Sequence, residues 1–138
     1  MAYVRSVNAS ANENINLTFN NDSSALYNVQ RLQVANGAVA GGQQTLSTSA
    51  NAGDAPAANA TAKTFGIWTL LMPAYDNTSN FKACVCSAGG PASPAGDGIG
   101  DRTAVSYEST AAITRLKIVP ASASNWKAGS RLIVYALQ

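Results

Sequence analysis

The sequence predicts an all-β protein. β-Branched and aromatic residues recur in short runs, clusters of Gly, Pro, Asn, Asp and Ser separate these runs, and helical periodicity is nearly absent. The candidate strands are residues 3–7, 15–19, 26–34, 43–49, 64–72, 80–87, 103–108, 112–119 and 130–137. Eight or nine antiparallel strands suit a jelly roll or a similar two-sheet β-sandwich.

Two kinds of hydrophobic pattern occur within these runs. Residues 15–19 and 115–118 alternate apolar with polar side chains, as expected of strands with one face in the core and one face in water. Residues 64–72 are apolar on both faces, which indicates a central strand and places Trp68 in the core. The apolar faces of the alternating strands are expected to meet in that core.

The pattern indicates one domain over residues 1–138, a length that allows a core without disulfides or a metal ion. Residues 51–62 and 88–100 are rich in Ala, Gly and Pro, so we expect two long loops that serve either as contact sites or as plain connections. Residues 1–14 form either the first strand or an extended arm that adds to the sheet edge of a neighbouring subunit.

The composition favours association with other proteins. Only 12% of the residues are charged, 46% are hydrophobic and the formal net charge is +2, so the surface offers little electrostatic repulsion. The basic residues are scattered, and no basic patch predicts binding to nucleic acid. No run approaches the roughly 20 apolar residues of a membrane span, and residues 1–10 lack a signal-peptide pattern, so we expect synthesis in the cytoplasm.

The sequence offers little for catalysis or for metal binding. It has no His and seven scattered acidic residues, whereas general acid–base catalysis relies on His or on carboxylates with shifted pKa values, so we expect no enzyme and no cofactor. Asp97 and Asp101 flank a glycine-rich stretch that lacks the ligand spacing of a calcium loop and is more typical of a tight turn. Cys84 and Cys86 are expected to be buried thiols on one strand face, with no disulfide.

The closing segment, residues 130–137, is unusual because every residue from 132 to 137 is apolar. Both faces of such a strand are expected to be covered. One sandwich core covers only one of them. The second face is left either to a loop such as residues 88–100 or to another subunit.

Five residues are candidate protein contacts: Tyr3, Arg5, Trp126, Arg131 and Tyr135. Tyr3 and Arg5 belong to the candidate arm, and Arg131 and Tyr135 belong to the closing segment. Trp126 lies in a turn, where an aromatic side chain either closes the end of a sandwich or anchors a partner.

The order of several segments resembles a known family. The segments concerned are residues 15–19, 26–34, 64–72, 113–119 and 125–130. Followed by a closing strand in which Gly-Ser and a basic residue precede a short run with a tyrosine, they are similar to the small jelly-roll virion proteins of tailed bacteriophages. A short chain without coiled-coil heptads, collagen-like repeats or a peptidase motif resembles, within that group, a capsid decoration (cement) protein of the Bordetella-phage podovirus type.

The resemblance implies a structural protein, made in the host cytoplasm, that sits on the outside of a phage head and cements adjacent major capsid subunits. It implies the major capsid protein and further copies of the same chain as partners, with a dimer favoured over a trimer, and neither nucleic acid nor a membrane. The alternative is a tail-fibre or receptor-binding head domain that recognises a host saccharide through exposed aromatic side chains. A small hydrolase or lyase on a β-sandwich is a third hypothesis, which the missing His disfavours.

Overall fold

A computed structural model describes residues 1–92 and 97–136 of the chain. These residues contain ten strands and no helix. The strands are β1 (Ala2–Val4), β2 (Asn12–Phe19), β3 (Tyr27–Ala35), β4 (Ala38–Ser47), β5 (Ala50–Pro56), β6 (Gly66–Leu71), β7 (Lys82–Pro91), β8 (Gly98–Tyr107), β9 (Leu116–Pro120) and β10 (Arg131–Leu132).

The strands form two antiparallel sheets that pack against each other. The larger sheet has seven strands in the order β10-β1-β6-β7-β8-β3-β4, and the smaller has three in the order β5-β2-β9. One hydrophobic core lies between them and draws side chains from both. The all-β, two-sheet prediction is confirmed, but the strand count is ten instead of eight or nine and the sheets are unequal.

A two-residue hairpin joins β3 to β4. Asn36 and Gly37 have φ angles of 52° and 77° and connect the paired residues Ala35 and Ala38. Asn-Gly with two positive φ angles is the preferred turn of this type, because its twist matches that of the flanking strands. As a result β4 begins well before residues 43–49, where the sequence pattern placed a strand.

Besides Trp68, three aromatic side chains are fully buried in the core and lie against each other. The rings of Tyr27 and Tyr107 stack with centroids 4.9 Å apart, and the ring of Phe19 lies 5.4 Å from that of Tyr107. The Tyr107 hydroxyl donates to Asp22 Oδ2 at 2.7 Å, and the Tyr27 hydroxyl donates to the Asp22 carbonyl at 3.0 Å. Since both hydroxyl groups are paired, the rings fill the core without leaving a polar group unsatisfied.

Trp68 links the two sheets. Its side chain is buried, as the sequence predicted, and extends from β6 of the larger sheet towards the smaller one. The indole Nε1 donates a hydrogen bond of 2.8 Å to the carbonyl of Ala52 in β5. The largest core side chain therefore also sets the position of β5.

The prediction of a loop over residues 51–62 is wrong for its first half, which is β5. Nearly every residue of this strand is buried. A β-carbon on Gly53 would lie 2.7 Å from that of Ala88, and one on Gly66 would lie 2.5 Å from Pro56 Cδ. The small residues that suggested a loop are required here because β5 lies directly against the larger sheet.

The prediction of a long loop over residues 88–100 is also wrong. β7 continues to Pro91 and β8 starts at Gly98, and these two residues are partners in the register. Residues 93–96 lie outside the described residues. Glycine was misleading at this point because the end of β7 lies close to other backbone: a β-carbon on Gly90 would lie 2.8 Å from Pro56 Cγ and 3.0 Å from Gly66 Cα.

The two chain ends lie side by side in the larger sheet. β1 pairs with β6 and with β10 of its own chain, so residues 2–4 occupy an internal position between those strands. β10 is only two residues long, and the side chains from Leu132 to Tyr135 are exposed. Within the described chain, neither face of the closing segment is covered as expected. Residues 137 and 138 lie outside the described residues.

We predict that Gly66→Ala destabilises the fold by about 1–3 kcal/mol, because the added methyl group would overlap Pro56 and overpack the contact between the sheets. Gly100→Ala is the matched control, since no heavy atom lies within 4 Å of the position its β-carbon would take. Denaturant unfolding followed by Trp fluorescence measures both. Equal stability of the two variants would contradict the proposed close contact.

Candidate functional site

The most prominent surface of the molecule is the face of the seven-stranded sheet that points away from the smaller sheet. We call it the outer face. Because side chains alternate along a strand, Gly66 and Trp68 of β6 point into the core whereas Ile67 and Leu71 point outwards. Leu71 is 70% exposed. The larger apolar side chains of the outer face are Tyr3, Leu32, Val34, Val39, Ile67, Leu71 and Val85.

The register aligns a row of residues across all seven strands of the outer face. In order from β10 to β4, the row is Arg131, Tyr3, Ile67, Gly89, Gly100, Val34 and Val39. Seven strands span about 29 Å, and up to four such rows cover about 20 Å along the strands. The resulting area, on the order of 600 Å², approaches the ~800 Å² that each partner contributes to a standard protein interface.

The outer face carries little charge. In the described strands, the positions that point to the outer face hold two arginines, Arg102 and Arg131, and no carboxylate. Arg102 Nη1 donates to Ser87 Oγ at 3.3 Å on the same face. Few charges would lose water if a protein covered this surface, and the two guanidinium groups suit a neutral or acidic partner.

A shallow groove of about 510 Å³ lies on the outer face. Gln30, Leu71, Ala83, Val85 and Ala104 are among the residues that line it. None of the lining residues is aromatic and none carries a charge. The groove therefore offers an apolar surface but no aromatic platform on which a planar or cyclic ligand could stack.

One corner of the outer face brings together two of the five predicted contact residues, Tyr3 and Arg131. Tyr3 and Arg131 are cross-strand partners, and the Tyr3 ring stacks on that of Phe65 with centroids 4.8 Å apart. The Met1 amino group donates to the Ile133 carbonyl at 2.8 Å, and the Ile133 N–H donates to the Met1 carbonyl at the same distance. Tyr135 follows shortly after and is 75% exposed.

Arg5 lies in the interior, so the structure does not support it as a contact residue. It is only 4% exposed. Its guanidinium donates at 2.7–3.1 Å to four carbonyl oxygens of one segment, those of Ala58, Ala60, Thr61 and Thr64. An arginine presents several donors in a rigid fork, which allows one side chain to hold this entire connection between β5 and β6.

Trp126 closes the end of the sandwich, one of its two predicted roles. Its ring packs against the hydrophobic core, and its Nε1 donates to the Ile118 carbonyl at 3.2 Å. Its backbone forms an isolated bridge with Ser6, and the adjacent Lys127 N–H donates to the Arg5 carbonyl at 2.7 Å. Trp126 therefore contributes mainly to the fold of the isolated chain.

The most polar cluster of the interior joins the two sheets and consists of Arg31, Asp54, Asp101, Gln33 and Asn12. Arg31 Nη2 lies 2.9 Å from Asp54 Oδ1 and 2.6 Å from Asp101 Oδ1. Gln33 donates to both carboxylates, and Asn12 donates to Asp54. Burial raises the pKa of Asp54, and Asp101 adds to the rise, whereas Arg31 and Asn12 lower it.

This cluster is a structural brace between the sheets. Asp101 Oδ1 contacts Arg31, and Asp101 Oδ2 accepts the backbone N–H of Asp54 at 2.9 Å, so the carboxylate is occupied within the chain. The described residues include no group of three or more His, Cys, Asp or Glu that could hold a metal ion. Cys84 and Cys86 are buried free thiols, as predicted, and a hydrogen bond that the Cys86 thiol donates to Cys84, together with burial, raises the pKa of Cys86.

Comparisons with known proteins give no relative. No protein-family model, no curated protein and no solved structure matches the chain. Among the described residues, no helix is long and apolar enough to cross a membrane. The fold and the surface of the molecule are therefore the basis for any proposal about its function.

Sequence reasoning missed most of the outer face. Leu32, Val34, Val39 and Leu71 were not among the predicted contacts, although the run over residues 64–72 carried a usable signal. That run is apolar on both faces, a pattern that predicted a central strand. In the structure one face of this strand meets the core, and the second apolar face contributes to the exposed outer face.

We predict that Arg31→Met destabilises the fold by about 3–5 kcal/mol at pH 7, because it leaves two buried carboxylates without their cation. Arg102→Met, on the outer face, is the control and is expected to be nearly neutral. Chemical denaturation at several pH values measures both.

The pH dependence of Arg31→Met has a defined sign. Burial raises the pKa of Asp54 in the folded chain above its ordinary value of 3.8, and Arg31→Met removes a group that lowers it. At pH values between the ordinary and the raised pKa, the folded variant therefore binds more protons than the unfolded chain. The stability of the variant therefore increases as the pH falls through the raised pKa. A loss of stability over that range would contradict the proposed brace.

Proposed function

We propose that this protein is a structural virion protein that decorates a phage capsid. It binds the outside of the head and cements adjacent major capsid subunits, which stabilises the shell. The observation that carries the proposal is the outer face, a weakly charged apolar surface that extends across seven strands. Such a surface suits a broad contact between proteins, and the proposal requires no catalytic group.

The outer face would lie against the capsid. Leu71 and Val39, which are 70% and 69% exposed, would lose water on contact, and Arg102 and Arg131 would face neutral or acidic groups of the major capsid protein. Each contact needs only modest strength. Many copies that bind the assembled shell, but not its separated subunits, stabilise it by mass action and multivalency.

The saccharide-binding alternative has less support. The groove on the outer face has no aromatic lining residue. Trp68 and Trp126, the two tryptophans of the chain, pack in or against the core. The exposed Tyr3 stacks on the half-buried Phe65, which leaves less of the Tyr3 ring for a sugar.

We predict that purified protein co-sediments with empty phage heads assembled without it, and that Leu71→Asp weakens this binding at least tenfold. The substitution places a charge within the apolar contact, where about 1.4 kcal/mol corresponds to a tenfold loss of affinity. Ala121→Asp, an equal change of charge in the exposed turn after β9, is the control. No co-sedimentation of the unaltered protein, or equal binding by both variants, would refute the proposal.

We further predict that Tyr135→Ser leaves the melting temperature unchanged, because the side chain is 75% exposed and the fold does not depend on it. Its binding to empty heads is expected to fall, since an exposed tyrosine beside an apolar face is a common anchor in protein interfaces. Tyr75→Ser, which removes an exposed tyrosine from another loop, is the control. A lower melting temperature for Tyr135→Ser would show that this residue belongs to the fold.

A further inference from the structure

Three of the four edges of the two sheets are protected against pairing with another chain. β10 has only two residues, one of them Arg131. β5 is buried and contains Asp54 and Pro56. β9 is short, carries Lys117 and ends at Pro120. Short length, charge, proline and coverage are the features by which natural proteins prevent contacts between sheet edges.

The fourth edge, β4, has none of these protections in the described structure; a bulge between its pairs Val29 with Gln44 and Tyr27 with Ser47 leaves residues 38–44 in regular register. It is ten residues long, contains no charged residue and no proline, and has exposed side chains along nearly its whole length. Its inner neighbour is β3, and no strand pairs with its other side. Alternate residues of an edge strand direct their N–H and C=O groups outwards, so β4 presents a row of unpaired hydrogen-bonding groups.

The glycine pair Gly41-Gly42 lies near the middle of this edge. No heavy atom lies within 4 Å of the position that a β-carbon on Gly42 would take, and neither glycine has a positive φ angle. The isolated chain therefore does not require glycine at position 42. Side chains of a strand point to the faces of the sheet and not towards a neighbouring strand, so a substitution at position 42 probes this edge without altering its backbone groups.

We propose that β4 of one copy pairs antiparallel with β4 of a second copy around a two-fold axis. The inference rests on the proposed association of several copies and names the edge that joins them. An antiparallel pair of identical edges is self-complementary, and an uncharged strand meets its copy without repulsion. The other described edges are short, charged or covered. Among the edges of a second copy, β4 is therefore the one that can pair with β4 of the first.

This pairing has a consequence for the outer face. Residues directly opposite each other in an antiparallel pair point to the same side of the sheet, and the two-fold axis runs perpendicular to the sheet. The outer faces of the two copies therefore lie on the same side and form one continuous surface. Such a dimer could contact two neighbouring capsid subunits at once, which is what a cementing protein must do.

Light scattering during size-exclusion chromatography, over a series of concentrations, tests the proposal. The unaltered protein is expected to have twice the chain mass of 14.1 kDa. Gly42→Lys is expected to shift it to the chain mass and to weaken dimerisation at least tenfold, because two lysines meet close to the axis. Gly98→Lys, the same change at an equally open position in β8, is expected to remain dimeric.

A mixing experiment separates the edge contact from a loss of folding. Gly42→Lys and Gly42→Glu are each expected to be monomeric, and an equal mixture of the two is expected to recover the dimer mass, which only folded chains can do. A monomeric unaltered protein, a dimer insensitive to Gly42→Lys, or a mixture that stays monomeric would each overturn the proposal. Protein that binds heads without dimerising overturns this inference alone, whereas a β4 dimer that does not bind heads overturns the proposed function alone.

Discussion

The close contact between β5 and the larger sheet is the constraint on which the rest of the fold depends. Gly53 and Gly66 have no room for a β-carbon, and Pro56 packs directly against Gly66. At this short distance the Trp68 indole reaches the Ala52 carbonyl, and the ion pair of Arg31 with Asp54 bridges the sheets. A larger side chain in β5 would separate all of these contacts together, because interiors are packed too densely to absorb extra volume.

The inequality of the two sheets accounts for the exposed surfaces. A sheet of three strands cannot cover one of seven, so the β4 end of the larger sheet extends beyond the core and its side chains are exposed on both faces. The outer face has no covering layer at all within the described chain. An apolar face and an unprotected edge on the same sheet are costly in a protein that stays alone, and they are useful in one that assembles.

Much of the fold could be predicted from local patterns, and much of the candidate site could not. The alternation over residues 15–19 and the apolar run around Trp68 correctly indicated strands and core, because the period of a strand is a local property. Arg5 has no local sign of burial, since its four carbonyl partners lie more than fifty residues away in the chain. Tyr3 and Arg131 are neighbours only because β1 and β10, at the two ends of the chain, pair with each other in the larger sheet.

By itself the sequence determined the fold class, the absence of strong charge and the presence of strands with two apolar faces. These properties follow from composition and from the two-residue period of a strand, which need no knowledge of distant contacts. Only the tertiary structure decided that residues 50–56 form a buried strand, that Arg5 is internal, and that β4 is the unprotected edge. Each of these depends on which distant segments become neighbours, and that choice is made by packing across the whole chain.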